Sequence, residues 1–258
     1  MLSLSQKVIV ITGGAGRIGS AFAEGIARAG GIAVIAEVDT KRALEVQEYI
    51  QNNVKNAIVE VICLDITSAQ SIDNAIQFLD KKYGRIDGLV NNAYPKSKNF
   101  GRKFFDINYE DFCAFTNLHL GGYFNISQKF IAYFLKKNGG NIVNISSIQG
   151  VVAPAFETYE GTAMHSPVEY TVVKTGLIGL TRYLAKMFKK DNIRVNAISP
   201  GGILDGQPEI FLEQYKKRCG NKGMLDAQDI VGTLVYLLSD ASKYVNGQTL
   251  VVDDGFVL

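Results

Sequence analysis

The chain has 258 residues, 47% of them hydrophobic and 20% charged, with a net charge of +2; that length suits one large α/β domain with a full core. The even charge balance excludes a nucleic-acid or membrane-surface protein, and no apolar run reaches membrane length. Cys63, Cys113 and Cys219 are scattered, only His119 and His165 accompany them, and the N-terminal stretch lacks a signal-peptide layout; a metal-free, soluble cytoplasmic protein acting on small molecules is expected.

Residues 7–12 form a short apolar run (Val8, Ile9, Val10, Ile11) of the kind a buried parallel strand shows. It enters Thr12-Gly13-Gly14-Ala15-Gly16-Arg17-Ile18-Gly19, and a helical segment follows to about Gly30. Strand, glycine turn and helix are the context in which backbone N–H groups approach a dinucleotide pyrophosphate. A second strand, 32–36, ends in Glu37-Val38-Asp39. An acidic residue there, about 20 positions past the glycines, is placed to hydrogen-bond the adenosine ribose hydroxyls.

The alternation continues with a helix over 41–52 and a strand over 57–64 that ends at Asp65. A helix over 68–83, a strand over 86–91, a long helix over 109–137 and a strand over 141–146 come next. After a helix carrying Tyr170 come a strand over 193–198, a Pro/Gly turn, two helical stretches and a last strand over 248–252. Strands alternating with helices throughout predict a doubly wound, Rossmann-type parallel sheet spanning residues 1–258 as one domain. Ligands of such sheets sit outside the carboxyl ends of the strands, where this chain places glycine and polar residues.

Tyr170 and Lys174 lie four positions apart, which on a helix sets them one turn apart on one face. Ser166, Pro167 and Glu169 read as N-cap, first helical residue and capping-box partner. An ammonium one turn away and the helix N-terminus would each favour a phenolate. Acid–base work by a phenol near neutral pH needs a fall of ~3 pH units, or ~4 kcal/mol.

Taken together, the glycine turn from Thr12, Asp65, Asn91-Asn92-Ala93, Ser147, Tyr170-x-x-x-Lys174, Asn196, Pro200-Gly201 and Gly247-Gln248-x-Leu250-x-Val252-Asp253 resemble the short-chain dehydrogenase/reductase family, in its single-domain branch. The match covers nearly the whole chain, which is more loosely similar to reductases of bacterial flagellin and surface-sugar modification. The resemblance implies a homo-oligomeric oxidoreductase interconverting an alcohol and a ketone with NAD, NADP being less favoured by Glu37. Tyr170 would be the acid/base, Lys174 its activator and a cofactor ligand, and Ser147 the holder of the substrate oxygen. The implied cofactor contacts are Gly13, Gly16, Arg17, Ile18 and Gly19 in the turn, with Glu37, Asp65, Ile66, Asn92 and Ala93 along the strand ends. Pro200, Gly201 and Ile203 complete them. His119 stands five residues before Phe124 and 28 before Ser147, where relatives carry a catalytic asparagine; an imidazole there would relay a proton or hold the relaying water. Asn117, two positions earlier, is the other candidate.

Four departures stand out. The glycine spacing is that of the larger sugar-nucleotide branch, so a dehydratase or epimerase of the same fold is an alternative, as is an NAD-sensing binding protein. Tyr94 replaces a glycine, bringing a ring to the nicotinamide end, and Asp205 stands where a threonine often lies. The segment 155–166 is longer than usual and carries Glu157, Tyr159, Glu160 and His165; it either shapes a polar substrate pocket or is a surface excursion. Lys96, Lys98, Arg102 and Lys103 crowd one loop, suited to an anionic substrate or to plain solvation.

Overall fold

The computed structural model describes residues 2–258. Seven strands form one fully parallel sheet in the order β3-β2-β1-β4-β5-β6-β7. They are β1 (Val8–Thr12), β2 (Ile32–Glu37), β3 (Ile58–Cys63), β4 (Gly88–Asn91), β5 (Gly140–Ile145), β6 (Ile193–Pro200) and β7 (Thr249–Val252). The predicted doubly wound sheet is therefore present. Strand order reverses between β1 and β4, which opens a crevice at their carboxyl ends.

Strand side chains alternate between two apolar layers. Val8 and Val10 of β1 pack on the side that holds Phe130, Phe134 and Leu177. Ile9 and Ile11 pack on the other, with Phe22, Ile26 and Leu234. The first layer is covered by α3 (Ala69–Tyr83), α5 (Gly122–Lys136) and α6 (Val168–Met187), the second by α1 (Arg17–Arg28), α2 (Thr40–Asn53) and α8 (Val231–Leu238). Burial on both faces explains why the strands read as continuous apolar runs.

Two expectations need correction. The predicted helix over 109–137 is broken into α4 (Tyr109–Thr116), one π-helical turn (Asn117–Gly121) and α5. The stretch holds no proline, but Gly121-Gly122 sits where the π-helical turn meets α5 and weakens the helix there; the extra residue of the turn sets His119 inward and Asn117 exposed. Nor does Ser166 cap α6. The cap position is Pro167, with no side-chain cap bond. The Ser166 hydroxyl donates instead to Gln149 Oε1 at 2.8 Å, and Glu169 is buried, accepting from the Gly101 N–H. Nearby cleft groups outcompete the local capping box.

A further helix, α7 (Glu209–Lys216), follows the carboxyl end of β6. It anchors a small apolar cluster of Ile148, Phe211, Tyr215, Met224 and Phe256, separate from the two sheet layers.

Candidate active site

One cleft of about 850 Å³ runs along the carboxyl ends of the strands. At one end lies the turn after β1, where Gly13 adopts φ +61° and a Cβ would sit 2.8 Å from Ala93 Cα, so only glycine fits there. Asn92 fastens the turn by donating from Nδ2 to the Thr12 and Gly13 carbonyls at 3.0 and 3.1 Å. Gly16 precedes α1 and no side chain caps that helix. Its first-turn N–H groups thus face the cleft, which Gly13, Gly16, Arg17 and Ile18 line.

This cradle fits a dinucleotide. The turn leaves open backbone where a pyrophosphate would lie, and Glu37 closes the end of β2 at the ribose distance. Asp65, Ile66, Asn92, Ala93, Pro200, Gly201 and Ile203 complete the expected path along the wall. Two expected residues stand off the wall. Gly19 packs beneath the turn, where a Cβ would come 2.2 Å from the Gly13 carbonyl. Asp39 is spent as the cap of α2, accepting from the Arg42 N–H. Arg17 is ion-paired with Asp205 across the cleft mouth, so its guanidinium is drawn away from the ribose end. Asn196 belongs to the sheet, joining the Val245 carbonyl and the Gln248 N–H.

At the other end, Ser147 follows β5 and starts a short 3-10 turn, Ile148–Gly150, packed against α6. A Cβ on Gly150 would lie 2.6 Å from the Lys174 carbonyl, so glycine permits this close approach. The Ser146 hydroxyl donates to that same carbonyl at 2.8 Å, and Lys174 Nζ donates back to the Ile145 carbonyl at 2.9 Å. These bonds register α6 on β5 and bring Tyr170 beside Ser147, both of them lining the cleft. Lys174 Nζ stands 5.5 Å from the Tyr170 ring centre and 5.6 Å from that of Tyr94.

The electrostatics differ from expectation. Burial lowers the Lys174 amine to about 7. Burial also raises the Tyr170 phenol above its usual value, opposed by the Ser147 hydrogen bond. Among the protein's own groups burial of the phenol dominates, and the fall expected from the neighbouring lysine does not occur.

His119 lies behind this pair with no exposed surface, and neither ring nitrogen has a hydrogen-bond partner among the described residues. Tyr94, which takes the predicted place at the cleft wall, stands between: its ring centre is 5.1 Å from His119 and 5.9 Å from Tyr170. Burial and then the Lys174 charge hold the imidazole well below its usual value. A neutral ring hydrogen-bonds but does not charge near pH 7, so the expectation narrows to holding a water or a lone pair. Asn117 is exposed and does not line the cleft.

The basic loop disperses. Arg102 pairs with Asp111, Lys98 and Lys103 are exposed away from the cleft, and only Lys96 reaches its rim. The long segment 155–166 instead forms a wall of the cleft, through Ala155, Thr158, Tyr159, Met164 and His165. Sequence reasoning missed Gln149, whose side chain ties that wall to α6, and the aromatic floor of Phe211, Tyr215 and Phe256. No spacing joins residues so distant in the chain; only the two-position offset of Gln149 from Ser147 was there to be read.

Comparison with known proteins places this geometry. A family model described as enoyl-(acyl carrier protein) reductase matches residues 13–257. The post-translational flagellin modification protein A of Campylobacter coli is 48% identical over 99% of this chain and all of its own. A 7alpha-hydroxysteroid dehydrogenase of Bacteroides fragilis is 33% identical over all of this chain and 97% of its own. Among solved structures, a short chain dehydrogenase from Leptospira borgpetersenii with bound NAD+ superposes with a TM-score of 0.84 at 31% identity, covering 99% of this chain and 94% of that one.

Proposed function

The chain belongs to the short-chain dehydrogenase/reductase family and is an oxidoreductase; on that footing we propose that it interconverts a secondary alcohol and a ketone on a small, polar, sugar-like molecule with NAD(H). The observation that carries the reading is the meeting of Ser147, Tyr170 and Lys174 with the uncapped glycine turn in one cleft. A bound nicotinamide supplies the hydride acceptor or donor. Tyr170 takes or returns the proton of the substrate oxygen, and Ser147 holds that oxygen and shares its developing charge. Lys174 is held by the Ile145 carbonyl beside the Tyr170 ring, and it would also bond the nicotinamide ribose. His119 keeps the buried side of the lysine polar.

Glu37 favours NAD over NADP by accepting from the ribose hydroxyls and repelling a 2′-phosphate. The Arg17–Asp205 pair supports that preference by occupying the guanidinium. Among the described residues no helix is long and apolar enough to cross a membrane. The reading also takes over the homo-oligomeric state and cytoplasmic location that the family resemblance implies. A screen with NADH and NADPH over free and phosphorylated keto-sugars, steroids and aliphatic ketones tests it. Turnover of a sugar-like ketone with NADH is the expected result; preference for a steroid or for NADPH would displace it.

A further inference from the structure

We propose that Tyr159 is a specificity-determining residue that binds a hydroxyl beside the reacting carbon, so that the substrate is a ring-shaped vicinal diol or its α-hydroxy ketone. The proposal rests on the oxidoreductase reading above and names the substrate class for that site.

The segment that carries Tyr159 is a fixed wall. Residues Phe156–Tyr159 form a 3-10 turn whose Thr158 is 3% exposed and donates to the Ala155 carbonyl at 2.7 Å. From the opposite side, Gln214 Nε2 donates to the Glu160 carbonyl at 2.8 Å, and Arg218 pairs with Glu157. The Tyr159 ring lies 5.2 Å from that of Phe211.

Gln149 fixes the direction of the Tyr159 hydroxyl. Its Oε1 accepts from the Ser166 and Thr171 hydroxyls at 2.8 and 3.2 Å, which leaves Nε2 to donate to the Tyr159 oxygen at 3.2 Å. The phenol therefore acts as acceptor towards Gln149 and keeps its own proton to donate, with the Ser166 hydroxyl as the competing partner inside the wall. Burial raises Tyr159 above its usual value, so that proton is retained at working pH. The Gln149 N–H donates to Ser147 Oγ at 3.2 Å, and the charge state of Tyr159 is felt at Tyr170. Gln149 thus bonds both Ser147 and Tyr159, which sets the two hydroxyls on one stretch of the cleft wall. Ser147 with Tyr170 serves the reacting oxygen, and Tyr159 serves the next one.

The rest of this end of the cleft is aromatic. The Tyr215 hydroxyl oxygen accepts from the Gly202 N–H at 2.6 Å, and its ring stacks on Phe256 with ring centres 4.2 Å apart. Phe211 and Met224 extend that floor. A polar edge over an aromatic floor matches a ring with hydroxyls along its edge and C–H bonds on its face. A site built to pair a hydroxyl discriminates strongly against the analogue that lacks it.

The test compares matched pairs: 2-hydroxycyclohexanone with cyclohexanone, and hexopyranoses with their deoxy counterparts at the neighbouring carbon. The wild-type enzyme should prefer the hydroxylated member of a pair, and Tyr159→Phe should lower the hydroxyl-to-deoxy ratio of kcat/KM at least ten-fold. Gln149→Leu, which releases the phenol, should lower the same ratio, with NADH affinity unchanged in both variants. Equal use of both members, or variants that leave the ratio alone while lowering both rates together, would overturn this inference while leaving the oxidoreductase reading in place. Absence of turnover across these pairs and across steroid and aliphatic ketones would overturn both.

Discussion

Replacing Lys174 with methionine should stabilise the protein while abolishing its activity. The side chain is 5% exposed, its ammonium donates to the Ile145 carbonyl at 2.9 Å, and burial lowers its pKa from 10.5 to about 7. That fall, 10.5 − 7 or roughly 3.5 pH units at about 1.4 kcal/mol each, sets an upper bound of about 5 kcal/mol on the cost of the buried charge. Methionine removes the charge but also a hydrogen bond from a charged donor, worth about 1.5–3 kcal/mol. A net gain of at most about 2–3.5 kcal/mol at pH 6 follows, within the range found when buried ions are replaced by apolar groups. The sign with pH is fixed by the same shift. Between pH 7 and 10.5 the unfolded lysine still binds a proton that the folded one has lost, so wild-type stability rises through that window and the full penalty applies below it. The methionine variant lacks this rise, and its advantage shrinks towards pH 10. Urea midpoints at pH 6, 8 and 9.5, at constant slope, measure it. A variant no more stable than wild type at pH 6, with the same pH dependence, would refute the reasoning.

Three further outcomes are expected. Tyr170→Phe should lower kcat by at least ~10²-fold with NADH affinity little changed, as loss of an acid–base group does; retention of most of the turnover would remove the phenol from its role. Glu37→Ser and Asp205→Asn should each move the kcat/KM ratio towards NADPH, the first by removing the ribose acceptor and the second by freeing Arg17; a wild-type preference for NADPH would contradict both. His119→Ala should lower kcat, His119→Asn should recover much of it, and exposed Asn117→Ala should do little. Dependence on Asn117 instead would return the role to that residue.

What the sequence determined by itself was the sheet and the cleft edge. Apolar runs at strand length, glycines after β1 and an acidic end to β2 are local patterns, each set by backbone geometry within a few residues. They therefore located the strands and the turn that fits a pyrophosphate, and helical spacing paired Tyr170 with Lys174; Ser147 joined them through the family resemblance. The tertiary structure alone decided how those groups behave. Ser166 left its cap for Gln149 because a partner distant in sequence came closer. The helix around His119 took a π-helical turn that ends at Gly121-Gly122; the glycine pair permits the break, and packing chose which side chain it turns inward. Tyr170 rose and Lys174 fell because desolvation depends on every atom packed around a group, not on its sequence neighbours. The substrate wall was equally out of reach of spacing rules: Tyr159, Phe211 and Phe256 meet only when the segment 155–166, α7 and the C-terminus fold over the end of the sheet.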